Sequence, residues 1–261
     1  YYLIRVRHKS CGQIYDPVTE AVSQREKDMR LDKYLCDGNY GTRSQIKKDI
    51  RSGLVCVNGE VCKKPEQQIR EEADQITYRG EICGYERFVY LMLNKPAGVV
   101  SATEDARDKT VLDLLDPKDR RDLFPVGRLD KDTEGLLLLT NDGALAHELL
   151  SPRKHVEKEY ECHLARELSE EAKRMLEQGV DIGEKKPTRP AKVTMLEPSK
   201  ITLAITEGKF HQVKRMLKAV ENEVVYLKRI RMGSLVLDEA LPKGAYRRLT
   251  DEEKDKLCSK R

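Results

Sequence analysis

Strand-forming runs in the second half of this chain lie too close together for helices to cross between them, and this spacing constrains the fold more than any other feature. Phe88–Leu93 reads as a strand, ended by Asn94-Lys95-Pro96-Ala97-Gly98. Leu136–Thr140 reads as a second and buried one, ended by Asn141-Asp142-Gly143. Ile201, Leu203 and Ile205 alternate as on a half-buried strand, and Val224–Leu227 is another β-rich run. Val213, Met216, Leu217 and Val220 recur at helical spacing. Neighbouring parallel strands need crossovers of about a dozen residues or more, and several of these spacings are shorter. The pattern therefore predicts an α+β fold with a mixed, mainly antiparallel sheet flanked by helices, and argues against a doubly wound one.

A smaller unit precedes it. Leu31, Tyr34 and Leu35 predict a helix that Gly38 and Gly41 break. Thr42-x-x-Gln45 reads as a capping box opening a second helix, which runs to about Ser52 with Gly53 just beyond its end. Leu54–Val57 is a strand, and Asn58-Gly59 is a strong hairpin signal. A further strand pair around Ile69 and Ile76–Tyr78 closes the unit near residue 85. The expected organisation is an extension over 1–28, a small domain over 29–86, a larger one over 87–250 and a polar, fraying tail over 251–261. Met29 reads as the natural start.

Composition removes several classes of function. With 261 residues and 39% hydrophobic content, the chain can bury a core. No apolar run approaches the ~20 residues of a membrane span, and Tyr1–Arg7 is too short and charged to open a signal peptide. The seven cysteines are irregularly spaced with no C-x-x-C, so they read as reduced thiols of a cytoplasmic protein. There is no G-x-G-x-x-G, no Walker A and no H-E-x-x-H, and Gly208-Lys209 is followed by Phe210. His147, His155 and His163 are evenly spaced, but Pro152 interrupts any shared helix, so they read as surface or structural residues. Neither a metal nor a small-molecule cofactor is indicated. The net charge of +4 permits a nucleic-acid partner without requiring one.

Charge distribution is more telling. Arg43, Lys47 and Arg51 stand at i, i+4 and i+8 with Lys48 alongside, facing away from Ile46 and Ile50. Such a stripe is either a solvated face or a track for a phosphate backbone. Its context is more specific. Met29-Arg30-Leu31-Asp32-Lys33-Tyr34-Leu35, Arg43-Ser44 and Gly53-Leu54-Val55-Cys56-Val57-Asn58-Gly59 together resemble the RNA-binding module of ribosomal small-subunit protein four. The resemblance implies that the second helix, with Arg43, Lys47, Lys48 and Arg51, docks on structured RNA by shape and backbone.

The second string is Gly127-Arg128-Leu129-Asp130-Lys131-Asp132-Thr133-Glu134-Gly135-Leu136-Leu137. Taken alone, an Asp in a Gly-bounded loop is usually a turn-maker, here a carboxylate at the mouth of a sheet with Arg128 nearby. The whole string resembles the catalytic motif of the RsuA-type pseudouridine synthases. Asn94-Lys95-Pro96-Ala97-Gly98, Lys158-Glu159-Tyr160 and Glu207-Gly208-Lys209-Phe210-His211-Gln212-Val213-Lys214-Arg215-Met216 resemble that family's other motifs, in the same order. The resemblance implies that Asp130 is the catalytic carboxylate, that Tyr160 stacks on the target uracil, and that Lys214 is the paired cation. It places Arg128, Lys95, His211, Gln212 and Arg215 against substrate. The helical wheel agrees on Lys214, which lies ~100° from Val213 on the shoulder of the apolar face, whereas Arg215 lies ~200° round. Arg215 then contacts RNA phosphate or a neighbouring acid.

The implied reaction detaches uracil from its sugar, rotates it and rejoins it through carbon 5, so no cofactor, donor or metal is needed. The target base must first leave its stack. Attack by the carboxylate on ring carbon 6, attack on the anomeric carbon, and a glycal-type route all stay open. Phe210–Met216 and Met29–Lys33 resemble the branch acting on 16S rRNA, whereas the large-subunit branch more often carries N-R-E-V-R-R-L. The expected partner is therefore 16S rRNA in a bacterial small-subunit assembly particle, met by a cytoplasmic monomer with no membrane contact. Two rivals stand beside this reading. One is a synthase acting on 23S rRNA. The other is a non-catalytic RNA-binding assembly factor, which has no need of a carboxylate facing an RNA pocket.

Overall fold

The computed structural model describes residues 28–258 apart from 39, 72, 85–87 and 121, so the extension before Asp28, including the segment read as a signal-free start, lies outside the described residues. The chain divides into two compact units, the second beginning at Phe88.

In the first unit, β1 (Asp28–Arg30) leads into α1 (Leu31–Asp37), followed by α2 (Arg43–Arg51). Then come β2 (Val55–Val57), β3 (Glu60–Val61), β4 (Gln68–Arg70), β5 (Ile76–Tyr78) and β6 (Glu81–Cys83). Leu31, Leu35, Ile46, Ile50, Val55 and Ile76 are fully or almost fully buried and form one core. Asn58 and Gly59 have φ of 53° and 85°, the left-handed pair that a two-residue hairpin between β2 and β3 requires. The predicted capping box is half formed. Thr42 accepts from the Gln45 amide at 3.4 Å, but the Gln45 side chain turns away to Asp49 at 2.7 Å. Two expectations are corrected. Ile69 and Ile76–Tyr78 do not pair: β4 joins β1, while β5 sits between β2 and β6. Asp28 belongs to β1 rather than to an extension.

The second unit is one nine-stranded sheet. Its strands are β7 (Tyr90–Lys95), β8 (Phe124–Pro125), β9 (Glu134–Thr140), β10 (Lys158–Leu164), β11 (Lys192–Glu197), β12 (Lys200–Ile205), β13 (Val224–Met232), β14 (Leu235–Val236) and β15 (Tyr246–Arg248). The main order is β11-β12-β10-β13-β9-β7-β15, with β14 on β13 and β8 on β9. Every pairing is antiparallel except β9 with β13. The helices are α3 (Gly143–Leu150), α4 (Glu170–Gln178), α5 (Gln212–Ala219) and α6 (Asp251–Cys258).

Strand β9 is buried on both faces, which explains its unbroken leucines. Leu137 and Leu139 pack with Leu176, Val213, Met216 and Leu217. Leu136 and Leu138 pack with Leu145, Leu149 and Met232. Burying each such leucine contributes roughly 2 kcal/mol.

Three further readings change. Asn94 and Lys95 continue β7 instead of ending it. Asn141-Asp142-Gly143 ends β9 but also opens α3, whose first turn Asp142 caps by accepting from the Leu145 amide at 3.0 Å. The tail expected to fray is α6, anchored by buried Leu257 in the core that holds Leu136.

Candidate active site

A cleft of about 700 Å³ opens in the second unit, lined among others by Asp130, Tyr160, His211, Lys214 and Arg229, with Arg128 exposed at its rim. Asp130 sits on the loop between β8 and β9, and the sheet fixes that loop from beneath. Ser101 grips the buried Leu129, its hydroxyl accepting from the Leu129 amide at 3.0 Å and donating to its carbonyl at 2.9 Å. The Gly98 amide donates to the Lys131 carbonyl at 2.8 Å. Lys95 is fully buried, and its ammonium meets the carbonyls of Pro96, Asp130, Lys131 and Thr133 at 2.8–3.2 Å. Burial pushes the Lys95 pKa down to about 8, against the pull of Asp132, Asp130 and Glu134.

Helix α5 brings the cation. Lys214 Nζ lies 3.3 Å from Asp130 Oδ2 and 2.6 Å from Asp132 Oδ1. Burial works against its charge, but hydrogen bonds to Asp132 and Asp130 raise its pKa overall, and Lys214 in turn lowers that of Asp132. His211 precedes α5 in a left-handed conformation, φ 47°, with Nε2 3.4 Å from Asp130 Oδ1. The Phe210 ring stacks on His211 at 3.8 Å and is itself exposed. Gln212 holds this turn, accepting from the Lys209 amide and donating to Glu207, both at 2.8 Å. Tyr160, on β10, presents a mostly buried ring to the cleft. The arrangement can hold a flat group against an aromatic ring, beside a carboxylate with its own cation. No cluster among the described residues is arranged to hold a metal ion.

Residues 89–219 match the RNA pseudouridylate synthase family, and residues 29–76 match the S4 domain. The chain is 52% identical over 230 residues to a Bacillus subtilis protein named "Uncharacterized RNA pseudouridine synthase YtzG", covering 86% of this chain and 96% of that one. It is 43% identical to a Haemophilus influenzae protein named "Ribosomal small subunit pseudouridine synthase A", covering 88% and 99%. A crystal structure described as a pseudouridylate synthase, 42% identical and covering 88% and 99%, superposes with a TM-score of 0.63. This chain belongs to the RNA pseudouridine synthases.

In this synthase three of the residues expected at substrate have other employment. Lys95 is not among the residues lining the cleft and braces the Asp130 loop instead. Gln212 does line the cleft, but it is 4% exposed and its amide is engaged with Lys209, Glu207 and Met216. Arg215 lies away from the cleft and pairs with Glu184 at 2.8 Å, with further bonds to the carbonyls of Phe210 and Ile182. Of the two partners the sequence left open for Arg215, the structure supplies the acid. Asp132, Ser101 and Arg229 were not singled out in the sequence. Asp132 could have been, since it lies within the motif; Arg229 looks there like one more charge in a basic strand.

On α2 of the S4 unit, Arg43, Lys48 and Arg51 are exposed and carry no ion pair among the described residues, while Lys47 lies 3.8 Å from Asp32. Asp49, on the inner side of the helix, is taken up by Tyr78, Arg79 and Gln45. The stripe therefore keeps its charge on the outside. No helix among the described residues is long and apolar enough to cross a membrane.

The synthase should lose activity as pH rises through about 8, when Lys95 gives up its proton and with it donors to the loop. The titration of Lys95 does not itself destabilise the fold in that range. Between about 8 and the ordinary 10.5 the unfolded chain holds this proton and the native chain does not, so the contribution of Lys95 to stability rises with pH there. A pH–rate profile beside thermal melts checks this; activity that stays flat well above pH 8 contradicts it.

Proposed function

We propose that this synthase converts one uridine of 16S rRNA to pseudouridine, with Asp130 as the reacting carboxylate, Tyr160 stacked on the base and Lys214 as the cation that orients Asp130. The reaction breaks the C1′–N1 bond and makes C1′–C5; the C5 hydrogen leaves and N1 gains one, so nothing is consumed. The observation that carries the reading is the Asp130–Lys214 pair at 3.3 Å in a cleft lined by Tyr160. A cation at that distance fixes the direction of the carboxylate. Stacking on Tyr160 returns ~1–3 kcal/mol toward the few kcal/mol of everting the base. Arg128 at the rim and the stripe Arg43, Lys47, Lys48 and Arg51 are assigned to the phosphate backbone. His211 is assigned to the target nucleotide, since it lines the cleft with Nε2 3.4 Å from Asp130. The choice of 16S over 23S rRNA is supported by relatives at 40–43% identity named for the small subunit.

Incubating the purified synthase with 16S and 23S transcripts and mapping pseudouridine at nucleotide resolution tests the proposal. One new site in 16S is expected; a site confined to 23S moves the enzyme to the other branch. Neutralising Arg43, Lys47 and Arg51 together should weaken RNA binding and lower the slope of log affinity against log salt by roughly two to three. Titrations at several salt concentrations read this directly, and an unchanged slope removes α2 from the interface.

A further inference from the structure

Arg229 is 1% exposed and lines the cleft. It stands on β13 directly opposite Tyr160 of β10 on one side and Gly135 of β9 on the other. Its Nε donates to the Leu136 carbonyl at 2.8 Å. Its Nη2 is buried with no hydrogen-bond partner, and no carboxylate pairs with the guanidinium among the described residues. Lys158 lies two residues before Tyr160, hence on the same face of β10, and also lines the cleft. Its ammonium meets the Val156 carbonyl at 3.1 Å and, among the described residues, no acid, and burial and the charge of Arg229 both lower its pKa. Two cations thus share the cleft with no paired counter-charge among the described residues.

Charged side chains are almost never fully buried unless paired, because a buried unpaired charge opposes folding. An acceptor brought by the ligand would complete the set. We infer that Nη2 of Arg229 donates a hydrogen bond to a carbonyl oxygen of the uracil ring held in this cleft. The inference rests on the cleft being the uridine site. A base suits this donor better than a phosphate does. The guanidinium is planar and enclosed, on a residue paired with Tyr160 in the sheet, whereas the cation exposed at the rim, and so open to phosphate, is Arg128. A guanidinium offers donors only, and uracil carbonyls offer acceptors. Any negative charge the ring takes up during isomerisation resides largely on those oxygens, where fixed donors in an enclosed site act most strongly.

The test replaces the substrate oxygen and the protein donor in a cycle. Transcripts carrying 2-thiouridine or 4-thiouridine in place of uridine present a poorer acceptor at one carbonyl. With the wild-type enzyme, one of the two should lower kcat/KM by roughly 10- to 100-fold, the size of one lost charge-assisted hydrogen bond. With Arg229→Met the same sulfur should cost no more than about twofold. A sulfur penalty of equal size in both enzymes means that Arg229 merely supports the β9–β13 seam, and overturns the inference. So does the absence of any penalty in the wild type. If Arg229→Met does not fold, the wild-type enzyme with ¹⁵N-labelled arginine side chains is titrated with RNA carrying 5-fluorouridine at the target. The Arg229 Nη signals should shift, and unmoved signals overturn the inference. Turnover by Asp130→Asn would sink the cleft as the uridine site and this inference with it. An inactive Asp130→Asn with a sulfur penalty independent of Arg229 sinks this inference alone.

Discussion

Asp130→Asn should lower pseudouridine formation by ~10⁴-fold or more while leaving RNA affinity within a few-fold. The amide keeps the shape of the carboxylate but removes its charge and its nucleophilic oxygen. The change should not disturb the fold. Lys95 and the Thr133 amide reach the backbone carbonyl of residue 130, not its side chain, and Ser101 holds Leu129 regardless. Nor does it strand Lys214, whose contact with Asp132 at 2.6 Å is shorter than that with Asp130. Single-turnover assays on 16S transcript, paired with filter binding, separate the two effects. Turnover near the wild-type rate would remove Asp130 from the chemistry.

Gly135→Ala should be among the most destructive small changes in the molecule. Gly135 has φ of 99°, where side chains are strained, and a Cβ there would lie 2.3 Å from the Arg229 carbonyl oxygen and 2.9 Å from its amide. Those atoms are backbone of the neighbouring strand, so nothing flexible can give way. Strand β9 is also paired to β7 and β8, which prevents it from backing off. A loss of ~3 kcal/mol or more is expected, enough to remove much of a typical domain's margin. Gly59→Ala is the control. Its φ is 85° but nothing lies within 4 Å of the added atom, so it should cost ~1 kcal/mol from backbone strain alone. Thermal melts and soluble yield of the two variants decide the matter; equal melting temperatures would contradict the argument.

Much of this molecule could be read in the sequence wherever signal and cause are local. The Asn58-Gly59 turn, the alternation at Ile201–Ile205 and the apolar stripe of α5 each follow from a few adjacent residues. Asp130, Tyr160 and Lys214 were readable because four strings stand in one order, and the structure brings them to one cleft. What failed depends on contacts far apart in the chain. Lys95 in an Asn-Lys-Pro run looks like a loop cation, yet its partners are carbonyls some 35 to 38 residues away. Gln212 lines the cleft as expected, but nothing local shows that its amide ties Glu207 to Lys209. Leu257 in a charged tail gives no hint of the pocket that receives it. Ile69 and Ile76 have equal claims to pair, and only the three-dimensional path of the chain separates them.

The doubly held lysine has a dynamic corollary. On the proposed assignment of Asp130 as the reacting carboxylate, its charge must change at some point in the cycle, whether by bonding to carbon or by taking up a proton. A cation bound to that oxygen alone would then drift toward solvent and have to be recaptured before the next round. Moored to Asp132, Lys214 stays in register through the neutral interval, and the catalyst is rearmed without any side chain having to travel.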